Sequence, residues 1–137
     1  MLLLGMVYRT KINMAAAKKD KGFSDPGHRQ YEIWWVQLDP TKGSETRKTR
    51  PCIILQQDVI NRHAPTTLVA PFLKGLKLRL HAVNVKRSKA NGLDEDRRIE
   101  FLQIRAIDTS RLQGKLGTLE KEYRNLLRKA SDIVFGY

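Results

Sequence analysis

The spacing of hydrophobic and polar positions changes along this chain, and each change marks an element. Residues 31–38 (YEIWWVQL) are dense in aromatic and branched side chains, which pack well on a pleated sheet and predict a strand. Asp39-Pro40 ends that run, because proline brings no ladder N–H and pushes the residue before it out of the helical region. Residues 51–56 are a short apolar run between polar flanks and predict a second strand with Pro51 at its first position. Residues 66–73 predict a third strand, in which Pro71 marks an edge or a bulge. His81, Val83 and Val85 alternate with Ala82, Asn84 and Lys86, the period-2 pattern of a half-buried strand. Residues 98–104 make the fifth strand. Leu119, Tyr123, Leu126, Leu127, Ala130, Ile133 and Val134 then recur at helical spacing, so residues 118–135 predict an amphipathic helix with Thr118 as N-cap. Asp58 is the expected N-cap of a polar turn or short helix at residues 58–63.

Five short strands, tight polar connections and one closing helix predict a mainly-β, α+β domain, built as a small, strongly bent antiparallel barrel or sheet. At 137 residues the chain is one domain, small enough to lean on a second subunit. Strand alternation sends the adjacent Trp34 and Trp35 to opposite faces. One can enter a core, and the other needs a cover: the helix, the N-terminal arm or a second subunit. Residues 1–30 differ from the rest. Their apolar start is far shorter than the roughly 20 residues that span a bilayer, and it lacks the cationic start and extended apolar core of a secretory signal. The expectation is a basic, flexible extension at residues 1–30 and one domain at residues 31–137, with no membrane segment.

Charge sharpens this picture. The formal net charge is +12, and residues 40–90 hold eleven Lys and Arg against Glu45 and Asp58. Two turns carry much of that surplus. In the first, Lys42, Arg47, Lys48 and Arg50 surround Gly43, Ser44 and Glu45; the second holds Lys74, Lys77 and Arg79. A clustered surplus points to a polyanion, with nucleic acid ahead of membrane because no long basic amphipathic helix occurs there. Plain solubility or an acidic protein partner would also use such a surface. The single cysteine, Cys52, excludes an intramolecular disulfide framework and fits a reducing, cytoplasmic setting. Its apolar neighbours make it a core residue rather than a nucleophile. His28, His63 and His81 lie in unrelated segments and no carboxylate or cysteine spacing suggests a metal cage, so neither metal nor cofactor is expected.

Two ordered blocks carry a family resemblance. The first runs Leu38-Asp39-Pro40-Thr41-Lys42-Gly43-Ser44-Glu45 and then, after a basic spacer, Thr49-Arg50-Pro51. The second is Gln103-Ile104-Arg105-Ala106-Ile107-Asp108, followed by Ser110-Arg111-Leu112. From residue 31 to the C-terminus the chain resembles the MazF/PemK family of toxin endoribonucleases from toxin–antitoxin pairs. The resemblance implies an SH3-like barrel of the MazF/PemK/CcdB kind with a C-terminal helix, assembled as a homodimer. It also implies metal-independent, sequence-specific cleavage of single-stranded mRNA, inhibited by an acidic antitoxin protein.

Such cleavage needs a 2′-oxygen freed of its proton, charge stabilisation at the attacked phosphate and a protonated 5′-oxygen leaving group. Arginine suits the middle task, since its planar fork meets phosphate oxygens bidentately. Arg50 matches the family's T-R-P arginine, which the resemblance marks as catalytic; a structural pairing with Glu45 or Asp39 is the alternative. Three positions depart from the family pattern. Leu73 stands where many members end a strand with threonine, Leu102 where some carry an acid, and Ala106 where threonine is usual. Ser44, Thr46, Thr66 and Glu100 are candidates to replace the missing threonine, Glu100 because alternation puts it on the face of Leu102. The expected catalytic set is Arg50, Ser44 and Glu100, and the expected RNA-binding set is Lys42, Arg47, Lys48, Lys74, Lys77, Arg79 and Gln103. Arg105 and Asp108 read as a buried brace at least as well as a catalytic pair. A non-catalytic relative that keeps the fold and binds RNA or a protein, in the manner of a gyrase poison, is the second functional reading.

Overall fold

Residues 25–38 and 49–137 are described by a computed structural model, in which the aromatic run of the sequence is strand β1 (Glu32–Gln37). There follow β2 (Thr49–Ile54), the short helix α1 (Asp58–Asn61), β3 (Thr66–Lys74), β4 (Ala82–Val85), β5 (Arg97–Glu100), β6 (Arg105–Asp108), β7 (Leu112–Thr118) and the helix α2 (Lys121–Phe135). Every pairing is antiparallel. The strand order is β4-β5-β3-β2-β1-β7, with β6 also on β3, so the path is open and ends on β4 and β7. The α+β architecture expected from the pattern holds. No helix among the described residues is long and apolar enough to cross a membrane.

The sheet bends where β7 runs along β1. Ile33 pairs with Gly117 but Trp34 with Lys115, and Trp35 pairs with Gly114 but Val36 with Leu112. Each step leaves one extra β7 residue, a bulge that adds twist and curls the sheet. Gly117 also lets a second chain segment in: a Cβ there would lie 2.3 Å from the Ala90 carbonyl oxygen, which accepts a hydrogen bond from the Thr118 N–H at 3.0 Å.

Both faces of the sheet are packed. Ile33, Ile53, Ala70, Phe72 and Ile99 meet Leu127 and Ala130 of α2 on one face, while Val36, Cys52, Ile54, Val69 and Ile107 form a smaller core on the other. Trp34 packs half-buried against the second core, and its indole N–H donates to Glu32 Oε1 at 3.1 Å.

Several local expectations give way to tertiary context. Pro71 lies in the central strand, not at an edge. The Leu55 N–H donates to the Leu68 carbonyl at 2.8 Å, which makes 53–70 a hydrogen-bonded pair and turns the Pro71 nitrogen away from β2. On that other side β6 reaches only to Val69 and β5 starts only at Phe72, so the missing N–H falls in the gap between two partners. Residues 98–104 are not one strand, because β5 ends at Glu100 and a 3₁₀ turn, Phe101–Gln103, leads into β6. Among the described residues the strands number seven rather than five. The helix begins at Lys121: Thr118 closes β7, Leu119 is fully buried, and Glu120 occupies the N-cap without a side-chain bond. Asp58 lies inside α1, whose N-cap is Gln57, and its carboxylate accepts from the Gln30 N–H at 2.8 Å, tying down the chain before β1.

Candidate active site

The register of three strands assembles the site. Half-buried Arg50 pairs with Val36 on one side of β2. On the other side Cys52 pairs with Pro71, and the same register carried two residues on sets Arg50 level with Leu73. Leu73 in turn pairs with Arg98 of β5. Side chains on one rung share a face, so Arg50, Leu73 and Arg98 stand on the face of Cys52 and Val69, opposite α2. Glu100, two residues beyond Arg98, projects to that face as well. The structure therefore brings Arg50 and Glu100 to one face with Leu73 between them. Leu73 is half-buried and offers no hydrogen-bonding group.

Glu100 is only 6% exposed, and both of its oxygens have a cationic or imidazole neighbour. His81 Nδ1 lies 2.7 Å from Oε1, and Arg98 Nε lies 3.7 Å from Oε2. A carboxylate only accepts, so the imidazole donates from Nδ1, and in the neutral ring Nε2 is then the acceptor nitrogen. The guanidinium of Arg98 donates on to the Lys74 carbonyl at 2.6 Å, anchoring the start of the β3–β4 loop, while its Nε has no hydrogen-bond partner.

Beneath this cluster, burial pushes the Cys52 thiol up to about 12, against the opposing fields of Arg105 and Arg50. Cys52 is thus a protonated core group, as its apolar neighbours predict, and the two guanidinium groups lie close enough to act on it. Asp108 is exposed, and hydrogen bonds from Ser110, whose backbone N–H donates at 2.8 Å, hold its carboxyl below the usual range. It caps the 3₁₀ turn Thr109–Arg111 and is no buried brace for Arg105.

The remaining candidates divide by location. Lys74, the last residue of β3, and Lys77 and Arg79 in the β3–β4 loop are exposed, and Leu76, Leu78 and Leu80 among them are exposed too. Gln103 is exposed in the 3₁₀ turn after β5. Leu102 is exposed in the same turn, where strand alternation no longer holds, so Glu100 and Leu102 do not share a strand face. Thr66 pairs with Asp108 at the far end of β3 from Leu73 and does not take the threonine's place. Lys42, Ser44, Thr46, Arg47 and Lys48 lie outside the described residues. No three His, Cys, Asp or Glu side chains cluster among the described residues.

Sequence reasoning missed His81 and Arg98. Arg98 was within reach, since R-R-I-E places it two residues before Glu100 and hence on the same face. His81 was not, because it meets Glu100 only through the β4–β5 register, in which Ala82 pairs with Glu100 across a long polar connection.

Comparison with known proteins bears on the family and the fold. Residues 29–135 match the family model described as the PemK-like, MazF-like toxin of type II toxin–antitoxin systems. The Endoribonuclease MazF of Staphylococcus saprophyticus is 34% identical over 111 residues, covering 79% of this chain and 91% of that protein. Among solved structures, the Mycobacterium tuberculosis toxin MazF-mt6 superposes with a TM-score of 0.65 at 25% identity, over 77% of this chain and 96% of that one. An endoribonuclease in complex with its cognate antitoxin, from a mycobacterial species, has the same fold, with a TM-score of 0.66 at 15% identity over 80% and 96% of the two chains. The chain spans nearly the whole length of each relative, and by the extent of the family match and the identity to its curated relative it belongs to the PemK-like, MazF-like toxin family of type II toxin–antitoxin systems.

Proposed function

We propose that this chain is the toxin of a toxin–antitoxin pair and cuts single-stranded mRNA at a preferred sequence without a metal ion. Family membership and the endoribonuclease among its relatives make it an endoribonuclease. The observation that carries the mechanism is Arg50, half-buried and level with Leu73 on the face shared with Glu100. From there a guanidinium meets two phosphate oxygens as charge builds during attack by the ribose 2′-oxygen. The exposed Lys74, Lys77 and Arg79 hold the flanking backbone, and Gln103 reaches a base edge.

An antitoxin is the protein partner, as for the relative solved with its own. The basic surplus of residues 40–90 favours an acidic antitoxin segment that covers the same loops and excludes RNA. The toxin acts as a homodimer in the cytoplasm, where a lone buried thiol such as Cys52 stays reduced. A non-catalytic binding role rested on the departures at Leu73, Leu102 and Ala106, and the endoribonuclease relatives do not favour it.

The test is incubation of purified protein with a long, poorly structured RNA, with and without chelator. The expected products carry a cyclic phosphate and a free 5′-hydroxyl, in equal yield under both conditions. No cleavage above a buffer blank would remove the nuclease reading.

A further inference from the structure

We propose that His81 is the general base of the cleavage reaction and that the buried Glu100 is its positioning residue; this rests on the endoribonuclease reading above. A carboxylate is expensive to bury unless it is paired, and Glu100 is paired at 2.7 Å with an imidazole whose side chain remains 24% exposed. Glu100 Oε1 is engaged by the imidazole and the residue is only 6% exposed, so the imidazole rather than the carboxylate faces solvent and substrate. The ring nitrogen it leaves open is Nε2, which has no hydrogen-bond partner among the described residues and is not buried. A carboxylate that fixes one imidazole nitrogen as donor presents the other as a proton acceptor in a set direction.

The location fits the reaction. Arg50 and Glu100 are separated by two strand spacings, about 10 Å, and by two residues along the strand, about 7 Å. His81 lies one strand further out, ahead of β4, with its ring held back against Glu100, so an RNA strand running across Leu73 passes between the arginine and the imidazole. Leu73 supplies no acid or base, and among the described residues the other histidines are elsewhere: His63 follows α1 and His28 precedes β1. Among the described residues beside this rung, the imidazole is thus the side chain placed to take the proton-transfer role.

In the step, His81 Nε2 takes the proton of the ribose 2′-hydroxyl. The 2′-oxygen–phosphorus bond forms while the phosphorus–5′-oxygen bond breaks. Water protonates the departing 5′-oxygen, and the hydroxide left behind takes the proton from the imidazolium. Arg50 stays charged throughout and stabilises the crowded phosphate. The net change is a transesterification that leaves a cyclic phosphate and a 5′-hydroxyl, with no oxidant, reductant or metal required.

The experiment is single-turnover cleavage with the full-length protein in excess over a labelled RNA. Affinity is measured in parallel on a 2′-O-methylated RNA that cannot be cut. His81→Gln keeps an N–H to offer Glu100, so the fold is preserved, and its rate is expected to fall by about 10²–10⁴ with affinity nearly unchanged. His81→Gly is expected to regain activity with added imidazole, a response a purely structural histidine would not give. Adding Glu100→Gln to that variant is expected to raise several-fold the imidazole concentration that gives half the rescue. A His81→Gln rate within about threefold of the parent, or a His81→Gly protein that imidazole does not revive, overturns the role of His81. An unchanged half-rescue concentration overturns the positioning role of Glu100. Either failure leaves cleavage by the parent protein, and so the endoribonuclease reading, standing. A parent that does not cleave removes both.

Discussion

Leu73 faces Arg98 across the β3–β5 ladder, and Arg98 reaches back past it to the carbonyl of Lys74 at 2.6 Å. An aliphatic side chain thus occupies the middle of a rung flanked by two arginines, where many members of the family end the strand with threonine. Leu73→Thr restores a hydroxyl within reach of the phosphate held by Arg50. A hydrogen bond to a charged group contributes roughly 1.5–3 kcal/mol, so cleavage is expected to rise by about 10- to 100-fold. Leu73 is only half-buried, and the accompanying loss of stability is expected near 1 kcal/mol. The comparison is of initial cleavage rates and melting temperatures for the two proteins, and a rate that does not change would show that the hydroxyl has no part here.

Arg50 is the most demanding position on this rung. Arg50→Lys keeps the charge but removes the bidentate fork, so RNA binding is expected to persist while cleavage falls by about 10²–10³, roughly 3–4 kcal/mol of transition-state stabilisation. Binding to 2′-O-methylated RNA and single-turnover cleavage separate the two effects. Equal losses in both would identify Arg50 as a docking residue only.

The β3–β4 loop predicts a salt response. If Lys74, Lys77 and Arg79 contact phosphates, the affinity for single-stranded RNA falls with a log–log slope of roughly 0.7 per contact. Lys77→Gln is expected to reduce that slope by about 0.7 and to weaken unrelated RNA sequences alike, because phosphate contacts position the strand without reading it. Titrations of the parent and variant from low to moderate salt give both slopes. Superimposable slopes would take Lys77 off the RNA path.

Cys52 predicts the alkaline behaviour of the fold. Burial raises its thiol from 9.0 to about 12 in the folded chain. The unfolded chain loses this proton near pH 9 and the folded chain only near 12, so the contribution of Cys52 is intact below about pH 9 and declines as pH rises through that window. The decline is about 1.4 kcal/mol per pH unit. Denaturant unfolding between pH 8.5 and 10.5 is expected to show a steeper loss for the parent than for Cys52→Ala, and parallel losses would contradict it. The same burial makes the native thiol inert to alkylating reagents near neutral pH.

Local chemistry was enough to read β1, β2, β3, β4 and the body of α2 from the sequence, because aromatic density, period-2 alternation and helical spacing act within a few residues. The T-R-P block pointed to Arg50 through the family resemblance. Strands β6 and β7 escaped notice: R-A-I-D is short, and L-Q-G-K-L-G-T carries glycines that weaken any strand signal. Both depend on neighbours for their ladders, β6 on β3 and β7 on β1, and neither partner is adjacent in sequence.

What the sequence determined by itself was therefore the family, the α+β class, the basic surplus and the arginine at the start of β2. The site around that arginine was decided by tertiary structure. Strand alternation relates residues within one strand, whereas register relates strands joined through long connections, and a shift of one residue would send every side chain to the other face. Only the assembled sheet sets Leu73 against Arg98, turns the nitrogen of Pro71 into the gap between β6 and β5, and brings His81 onto a carboxylate nineteen positions away. Burial completed the assignment: the sequence offers Glu100 as a candidate catalytic carboxylate, whereas its desolvation in the fold requires the imidazole and guanidinium beside it.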